Sequence, residues 1–247
     1  MSDHAVALRN LLSASKRAVV FTGAGLSTEP GIPDFRSPGG IWSRHKPIEF
    51  NDFLASEDAR RSAWKLKFMM DEDMRQASPN HGHLAIAEWV RKGTVSHVIT
   101  QNVDGLHQKS GVPDAQVIEL HGNTTYAHCL SCFARYELAL IQADFEKNGT
   151  LPVCSQCGGL VKTATISFGQ AMPEAAMKAA QEATENCDLF LAIGSSLVVY
   201  PAAGFPLIAK RQGARLVILN RDPTELDPAA DLVIHDKIGL VMQCLIC

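Results

Sequence analysis

The chain has 247 residues, of which 46% are hydrophobic and 20% are charged, and its formal net charge is −3. This length suits one large α/β domain, alone or with a small insertion, and the composition is that of an ordinary soluble globule. The acidic balance argues against non-specific DNA binding, and no apolar stretch approaches the roughly 20 residues of a membrane-spanning helix. Because the N-terminus also lacks the basic and apolar regions of a signal peptide, we expect a cytoplasmic protein.

Predicted helices and strands alternate along most of the chain. An amphipathic helix over 5–17 precedes a buried-type strand over 18–22 and a glycine turn. Further helices are predicted over 51–57, 59–76, 82–92, 173–186 and 201–212, and further strands over 95–100, 117–120, 188–193, 214–219 and 231–234. This alternation predicts an α/β fold, a Rossmann-like parallel sheet with helices on both faces.

The interval 124–165 interrupts the alternation with polar residues and cysteines, which indicates a small inserted module. We therefore predict three parts. A Rossmann-like domain that binds a dinucleotide takes residues 1–36, 82–123 and 166–247. A helical and cofactor-loop insertion takes residues 37–81, and a zinc-ribbon module takes residues 124–165.

The module contains two Cys-x-x-Cys pairs with 21 residues between them: Cys129, Cys132, Cys154 and Cys157. Four thiolates at this spacing suit tetrahedral Zn²⁺, and they leave no position for a water, so the zinc should be structural. The odd total of seven cysteines disfavours a disulfide framework. Cys244 and Cys247 form a third pair, which we interpret as part of a frayed C-terminal end.

The stretch after the first strand predicts a dinucleotide site. Its glycine turn lets the backbone approach a phosphate and present N–H groups: Gly23, Ala24 and Gly25. A dehydrogenase would continue as G-x-G-x-x-G into a helix, but Thr28 occupies the third glycine position and prolines follow. We expect the resulting loop to cover the cofactor with an acid, a ring and a guanidinium: Asp34, Phe35 and Arg36. Residues 42–46 contain no acid that would bind a ribose, which disfavours hydride transfer.

Polar side chains follow several other predicted strands, at the edge where open α/β sheets bind ligands. Asn102 and Asp104 follow strand 95–100, and His121 ends strand 117–120. Histidine is suited to take a proton near neutral pH, so His121 together with Asn102 and Asp104 indicates a catalytic site. Five other histidines are assigned structural places: His107, His128 and His235, with His81 and His83 at the start of a helix.

Two further strand ends complete the predicted cofactor site. Gly194, Ser195 and Ser196 follow strand 188–193 and offer small residues and hydroxyls to a phosphate or ribose. Asn220 ends strand 214–219, where many nucleotide folds place a residue that binds the adenosine ribose.

These motifs together resemble the sirtuin family of NAD-dependent protein lysine deacylases, in its bacterial form. The resemblance spans about residue 19 to residue 240 and rests on motifs in the family's order. They are Gly23-Ala24-Gly25, Gly31-Ile32-Pro33-Asp34-Phe35-Arg36, Thr100-Gln101-Asn102-Val103-Asp104-Gly105-Leu106-His107, His121-Gly122-Asn123, the two cysteine pairs and Gly194-Ser195-Ser196-Leu197.

The resemblance implies a mechanism in which NAD is consumed. NAD would be bound by Ala24, Asp34, Phe35, Arg36, Gln101 and Asn102, with Ile238 added to the cofactor set, and Ile32 and Asp104 would line the nicotinamide pocket. The acyl oxygen of an acyl-lysine would displace nicotinamide to give an alkylimidate, and His121 would act as general base on the ribose hydroxyls. The products would be free lysine, nicotinamide and O-acyl-ADP-ribose.

The resemblance also implies that the substrate peptide adds as a strand between two loops. One loop carries Ile166, Phe168 and Gly169, and the other carries Val198, Val199 and Tyr200. Backbone pairing tolerates many sequences, so the substrate protein is not predicted, and neither a nucleic acid nor a membrane is expected as a partner.

The chain departs from the family pattern at Gln170, where Glu is common, and at Lys162-Thr163, where Arg-Pro is common. Relatives that prefer acidic acyl groups carry a Tyr and an Arg at the positions of Lys65 and Phe68. We therefore predict an uncharged acyl group, acetyl or longer, with Lys65 or Lys67 binding an acidic group as a minor alternative. ADP-ribosyl transfer and a non-catalytic NAD-binding module are the rival functions, and hydride transfer comes last.

Overall fold

The computed structural model describes residues 3–28 and 46–246. Its nine strands, in chain order, are β1 (Ala18–Thr22), β2 (Val95–Thr100), β3 (Val117–Glu119), β4 (Gly122–Cys129), β5 (Arg135–Tyr136), β6 (Val161–Thr165), β7 (Leu189–Ile193), β8 (Arg215–Leu219) and β9 (Leu232–Ile234). Six of them form a parallel sheet in the order β3-β2-β1-β7-β8-β9. The predicted α/β fold with a Rossmann-like sheet is confirmed.

The chain crosses from one half of this sheet to the other beside β1, which pairs with β2 on one side and β7 on the other. Thr22 at the end of β1 is in register with Thr100 of β2 and with Ile193 of β7. Three strands therefore end at the same level, and the loops that follow them open at one edge of the sheet. Ligands of open α/β sheets bind at such a switch point.

Helices cover both faces of the sheet. The helices of the described residues are α1 (Asp3–Ala14), α2 (Phe50–Ala55), α3 (Glu57–Gln76), α4 (His81–Arg91), α5 (Leu106–Lys109), α6 (Leu138–Asn148), α7 (Glu174–Glu185), α8 (Phe205–Arg211) and α9 (Ile238–Ile246), and five of them cover the main sheet. One face packs against α1, α4 and α9 through Leu8, Ile86 and Met242. The opposite face packs against α7 and α8 through Ala180 and Phe205. Each cluster removes a continuous apolar surface from water, which is the main stabilising term of such a layered fold.

The C-terminal segment corrects one prediction. Cys244 lies in α9, whose buried Val241 and Met242 face the core, so the segment is not frayed at that position. The Arg9 guanidinium of α1 donates a hydrogen bond to the Cys244 carbonyl oxygen at 2.6 Å. Cys247 lies outside the described residues. The expectation failed because it judged the segment by its cysteines, whereas the buried Val241 and Met242 that precede Cys244 hold the helix against the core.

The remaining three strands form a second, antiparallel sheet in the order β5-β4-β6. Trp64 and Phe68 of α3 pack into the same cluster as Ala127 and Val161 of this sheet, with α6 covering it. The helical insertion and the cysteine-containing module therefore share one hydrophobic core. The residue limits of the three predicted parts stay a prediction. Within the described ranges, each helix is too short or too polar to cross a membrane.

Candidate active site

A cavity of about 1440 Å³ runs between the carboxyl edge of the main sheet and the smaller sheet. The loops after β1, β2 and β7 meet at its centre. Gly25 N donates to the Gly194 carbonyl oxygen at 2.8 Å, and Gln101 N donates to the Thr22 carbonyl oxygen at 3.0 Å. The sequence motifs that follow three separate strands are thus held against one another by backbone hydrogen bonds.

The glycines of this edge are required by the close approach of two backbones. A Cβ on Gly25 would lie 2.8 Å from the Gly194 carbonyl oxygen, and a Cβ on Gly194 would lie 2.3 Å from the backbone nitrogen of Leu26. Gly194 also has φ +65°, which favours glycine. The glycine turn predicted to approach a phosphate therefore lies directly against the loop that follows β7.

Asn102 and Asp104 are both buried, and Ser27 joins them by hydrogen bonds. The Ser27 hydroxyl donates to Asp104 Oδ2 at 2.8 Å and accepts from Asn102 Nδ2 at 3.2 Å. Asn102 Nδ2 also reaches the Gly23 carbonyl oxygen at 3.1 Å, and Asp104 Oδ1 accepts from the backbone N–H of Leu106 at 2.9 Å. The structure thus brings these two predicted residues to the glycine turn. Sequence reasoning missed Ser27, although it lies within the glycine-containing stretch.

His121 lies two residues after the end of β3 and lines the cavity. Its Nδ1 lies 3.0 Å from the Gln101 carbonyl oxygen, which can only accept, so Nδ1 carries the proton of the neutral ring. Nε2 is then the unprotonated nitrogen. This tautomer is the one a general base needs, because Nε2 can then accept a proton.

The cofactor residues predicted after β7 and β8 also line the cavity. Gln101 Nε2 donates to the Ser195 hydroxyl at 2.9 Å, so two predicted cofactor residues from different loops are bonded. Asn220 Nδ2 donates to the Asp222 carbonyl oxygen at 2.7 Å. The remaining predicted members on this part of the wall are Gly194, Ser196 and Ile238.

Thr28 lines the cavity near the glycine turn, and its hydroxyl donates to the Gly25 carbonyl oxygen at 3.1 Å. The other predicted residues of the cofactor loop lie outside the described residues: Ile32, Asp34, Phe35 and Arg36.

Two loops that were predicted to bind a peptide line the cavity: Ile166, Phe168 and Gly169 on one, and Val198, Val199 and Tyr200 on the other. Val198 and Tyr200 are 52% and 68% exposed, which leaves apolar surface at the mouth of the cavity. The first loop is bonded to the segment that carries His121, because Ile166 N donates to the His121 carbonyl oxygen at 2.8 Å.

Two buried lysines line the cavity: Lys67, which the sequence indicated only as a minor alternative for binding an acidic acyl group, and Lys162. Lys67 forms a short ion pair with Asp71 and donates to the Thr124 hydroxyl at 3.0 Å. Lys162 donates to the carbonyl oxygens of Thr163 and Thr165, and burial lowers its pKa to about 8. The charged residues of this helix predict a solvated surface with a packed side, and the buried Lys67 departs from that prediction.

The four predicted zinc ligands are clustered, with all four sulfur atoms within 4.8 Å of one another. The Cys129–Cys157 and Cys132–Cys154 sulfur pairs are each 3.5 Å apart. A tetrahedron with Zn–S bonds of about 2.3 Å has sulfur atoms about 3.8 Å apart, so the donor set fits Zn²⁺. The Tyr136 hydroxyl donates to Cys154 Sγ at 3.1 Å and lowers the pKa of that thiol to about 6, which favours the thiolate that a metal binds.

The fold and the cleft define the class: a Rossmann-like dinucleotide-binding protein with an inserted zinc module. A model of the Sir2 family matches residues 23–201. The chain is 54% identical to an NAD-dependent protein deacetylase of Rhodopseudomonas palustris over 94% of this chain and 92% of the relative. It is 56% identical to NAD-dependent protein deacetylase 1 of Bradyrhizobium diazoefficiens over 94% of this chain and 91% of the relative. The chain belongs to the Sir2 family.

Solved structures agree with this assignment. A structure described as "Sir2-p53 peptide-NAD+" has a TM-score of 0.86 and 34% identity, over 96% of this chain and 95% of the other. A second, "Structure of Sir2Tm bound to a propionylated peptide", has a TM-score of 0.86 and 34% identity over the same shares of the two chains. The predicted sirtuin membership is therefore confirmed.

Proposed function

We propose that this chain removes acyl groups from protein lysines with NAD as co-substrate, and that acetyl is its preferred acyl group. It is an NAD-dependent protein lysine deacylase, the activity for which its curated relatives are named. The observation that carries the residue assignment is the place of His121. Its ring lines the cavity between the glycine turn and the two peptide loops, in the tautomer of a general base.

NAD supplies an activated ribose once nicotinamide leaves, and this chain's residues bind and orient it. The N–H groups of Gly23, Gly25 and Gly194 are bonded to carbonyl oxygens of the protein, so the phosphates and riboses would be bound by Ala24 of the turn and by the backbone and hydroxyls of Ser195 and Ser196. Asn102 and Asp104 orient the nicotinamide end, since both are fixed through Ser27. His121 Nε2 takes a proton from a ribose hydroxyl, and the Gln101 carbonyl oxygen holds the ring in place as it becomes charged.

The preference for an uncharged acyl group is supported by the apolar part of the cavity lining. Ile48, Phe53, Trp64 and Met70 are among the residues that line the cavity. Lys67, the cation that could bind an acidic acyl group, is already neutralised by Asp71. A second carboxylate there would have to compete with Asp71 for the same ammonium, so acetyl and short apolar acyl groups fit better.

The test is mass spectrometry of an acetyl-lysine peptide incubated with the protein, with and without NAD, beside His121→Ala and the control His128→Ala. His128 lies on β4 in the zinc module. We expect NAD-dependent loss of acetyl and formation of O-acetyl-ADP-ribose by the wild type and His128→Ala, and neither by His121→Ala. ADP-ribose attached to the peptide in place of deacetylation would favour the transferase alternative.

A cytoplasmic location, and the lack of nucleic-acid and membrane partners, stay predictions. The net charge of −3 supports the first exclusion, because non-specific nucleic-acid binding needs a basic surface. Fractionation of cells that express the protein would test the location directly.

A further inference from the structure

Two histidines that the sequence assigned only structural places lie together behind the cavity wall. His83 of α4 and His107 of α5 are 0% and 1% exposed, and their ring centroids are 5.2 Å apart. Burial lowers the pKa of His107 to about 3, with a smaller contribution from His83. Burial also lowers the pKa of His83 to about 4 against the opposing charge of Asp104. Both rings are therefore neutral at physiological pH.

His107 begins a chain of hydrogen bonds that crosses two strands and ends in the candidate active site. His107 Nε2 lies 2.9 Å from the Thr22 hydroxyl at the end of β1. The Thr22 hydroxyl donates to the Thr100 hydroxyl oxygen at 2.8 Å, at the end of β2. The Thr100 oxygen in turn accepts from the backbone N–H of Asn102 at 3.0 Å. All members of this relay are buried.

The direction of the relay follows from the count of protons. The Thr22 hydroxyl has one proton and donates it in the hydrogen bond to Thr100, so it accepts a hydrogen bond from His107 Nε2–H. His107 Nδ1 is then an unprotonated nitrogen, and it is buried with no hydrogen-bond partner among the described residues. A buried nitrogen lone pair without a partner costs less free energy than a buried N–H without one, so this tautomer also has the lower free energy.

His83 supports the same site from the neighbouring helix. Its Nδ1 is 2.8 Å from Asn80 Oδ1, and its Nε2 is 3.5 Å from the Ser27 hydroxyl. Ser27 bonds both Asn102 and Asp104. The two rings therefore form a neutral layer under the residues that orient the nicotinamide end of the cofactor.

We propose that His107 is a positioning residue, which fixes the backbone of Asn102 through Thr22 and Thr100 and so holds the Asn102 amide where NAD needs it. The inference rests on the proposed NAD-binding role of Asn102. Loss of the His107 N–H leaves the Thr22 hydroxyl free to rotate, and the Thr100 acceptor then has no fixed geometry. A shift of a positioned group by about 1 Å is enough to lower the rate of a reaction strongly.

Two matched pairs of variants test the proposal. His107→Gln keeps an N–H donor near the position of Nε2, whereas His107→Leu removes it. Thr22→Ser keeps the hydroxyl, whereas Thr22→Val removes it at nearly constant volume. We expect His107→Leu and Thr22→Val each to lower kcat/KM for NAD by roughly tenfold, the effect of losing one hydrogen bond, with the KM for the acetyl peptide unchanged. The Gln and Ser variants should stay within about threefold of the wild type.

The double variant separates a relay from two independent defects. If the members act as one chain, His107→Leu with Thr22→Val should cost no more than the worse single variant. Equal losses in His107→Leu and His107→Gln, losses that add in the double variant, or a loss that follows only the folded fraction measured by circular dichroism would overturn the proposal.

NAD affinity measured by calorimetry provides a readout that does not depend on deacylation. We expect the Kd for NAD to rise about tenfold in His107→Leu and Thr22→Val and to stay near the wild-type value in the conservative variants. A wild type that binds NAD but leaves acyl peptides intact would refute the proposed function. The NAD affinities of the four variants would still test the hydrogen-bond chain in that case. Identical NAD affinities in all four variants would refute the relay even if deacylation is confirmed.

Discussion

Gly194 offers a test of how closely the glycine turn and the loop after β7 approach each other. A Cβ at this position would lie 2.3 Å from the backbone nitrogen of Leu26 and 2.7 Å from the backbone carbonyl carbon of Gly25. These are backbone atoms of a buried turn, so they cannot rotate away as a side chain would. The φ of +65° adds a second penalty for any L side chain.

The expected cost of Gly194→Ala is the sum of these two penalties. The left-handed conformation costs an alanine roughly 1–2 kcal/mol. Forcing packed atoms apart costs about 1–3 kcal/mol. We therefore expect the free energy of unfolding to fall by about 2–5 kcal/mol, a large share of the ~5–15 kcal/mol that a protein has in total.

Gly93→Ala is the matched control, because Gly93 has φ +75° and a Cβ there would meet nothing within 4 Å. Its free energy of unfolding should fall only by the conformational penalty, about 1–2 kcal/mol. The assay is urea unfolding followed by tryptophan fluorescence for the wild type and both variants. If Gly194→Ala is no less stable than Gly93→Ala, the two backbones do not approach as described, and the reasoning about the glycine turn fails.

Three further predictions concern the smaller sheet. Burial lowers the pKa of Lys162 from 10.5 to about 8, so between these pH values the unfolded chain binds more protons and stability should rise with pH, by up to about 3 kcal/mol. Lys162→Met should lack this rise in pH-dependent urea unfolding, and parallel curves would contradict the assignment. Cys132→Ser should lose most of its zinc by atomic absorption while Cys244→Ser keeps it, and equal zinc content would refute the four-thiolate site. Trp64→Ala should lower the free energy of unfolding by about 3–5 kcal/mol, because the ring is 2% exposed and stacks on Phe68, and a loss under 1 kcal/mol in urea unfolding would show that it is not packed there.

The positions that could be predicted from sequence are those that follow strands of the parallel sheet. Parallel neighbours end at one edge, so the loops after β1, β2 and β7 had to meet once those strands were recognised. Gly23, Asn102 and Gly194 accordingly lie together, joined by hydrogen bonds across the loops. The prediction needed only strand limits and connection rules, which a short buried run followed by glycine or asparagine supplies.

The relay behind the cavity could not be predicted in this way. Thr22 and His107 are 85 positions apart, and they meet because α5 returns beneath the strand ends. A histidine in a short helix carries no local signal that distinguishes a ring bonded to a strand end from one that only fills space. Its role depends on which atoms face it after folding, and hydrophobic periodicity does not report that.

The burial of Lys67 and Asp71 could not be predicted for a related reason. Four residues apart on a predicted helix, they have the spacing of a solvent-exposed ion pair. The pair is buried because the second sheet covers that face of α3, and strand β4 supplies the Thr124 hydroxyl that completes the site. Because of this tertiary contact, a residue pair whose spacing is typical of a surface lies buried, and its Lys67 lines the cavity.

The same contact links the zinc module to the substrate cavity. Trp64 and Phe68 of α3 belong to the same hydrophobic cluster as Cys129 and Cys154. Lys67 on the same helix lines the cavity. Zinc binding should stabilise the module that packs on α3, so its effect should reach the cavity wall at Lys67 although the four thiolates leave no coordination site for chemistry. The structural role of the zinc module therefore extends to the shape of the cavity.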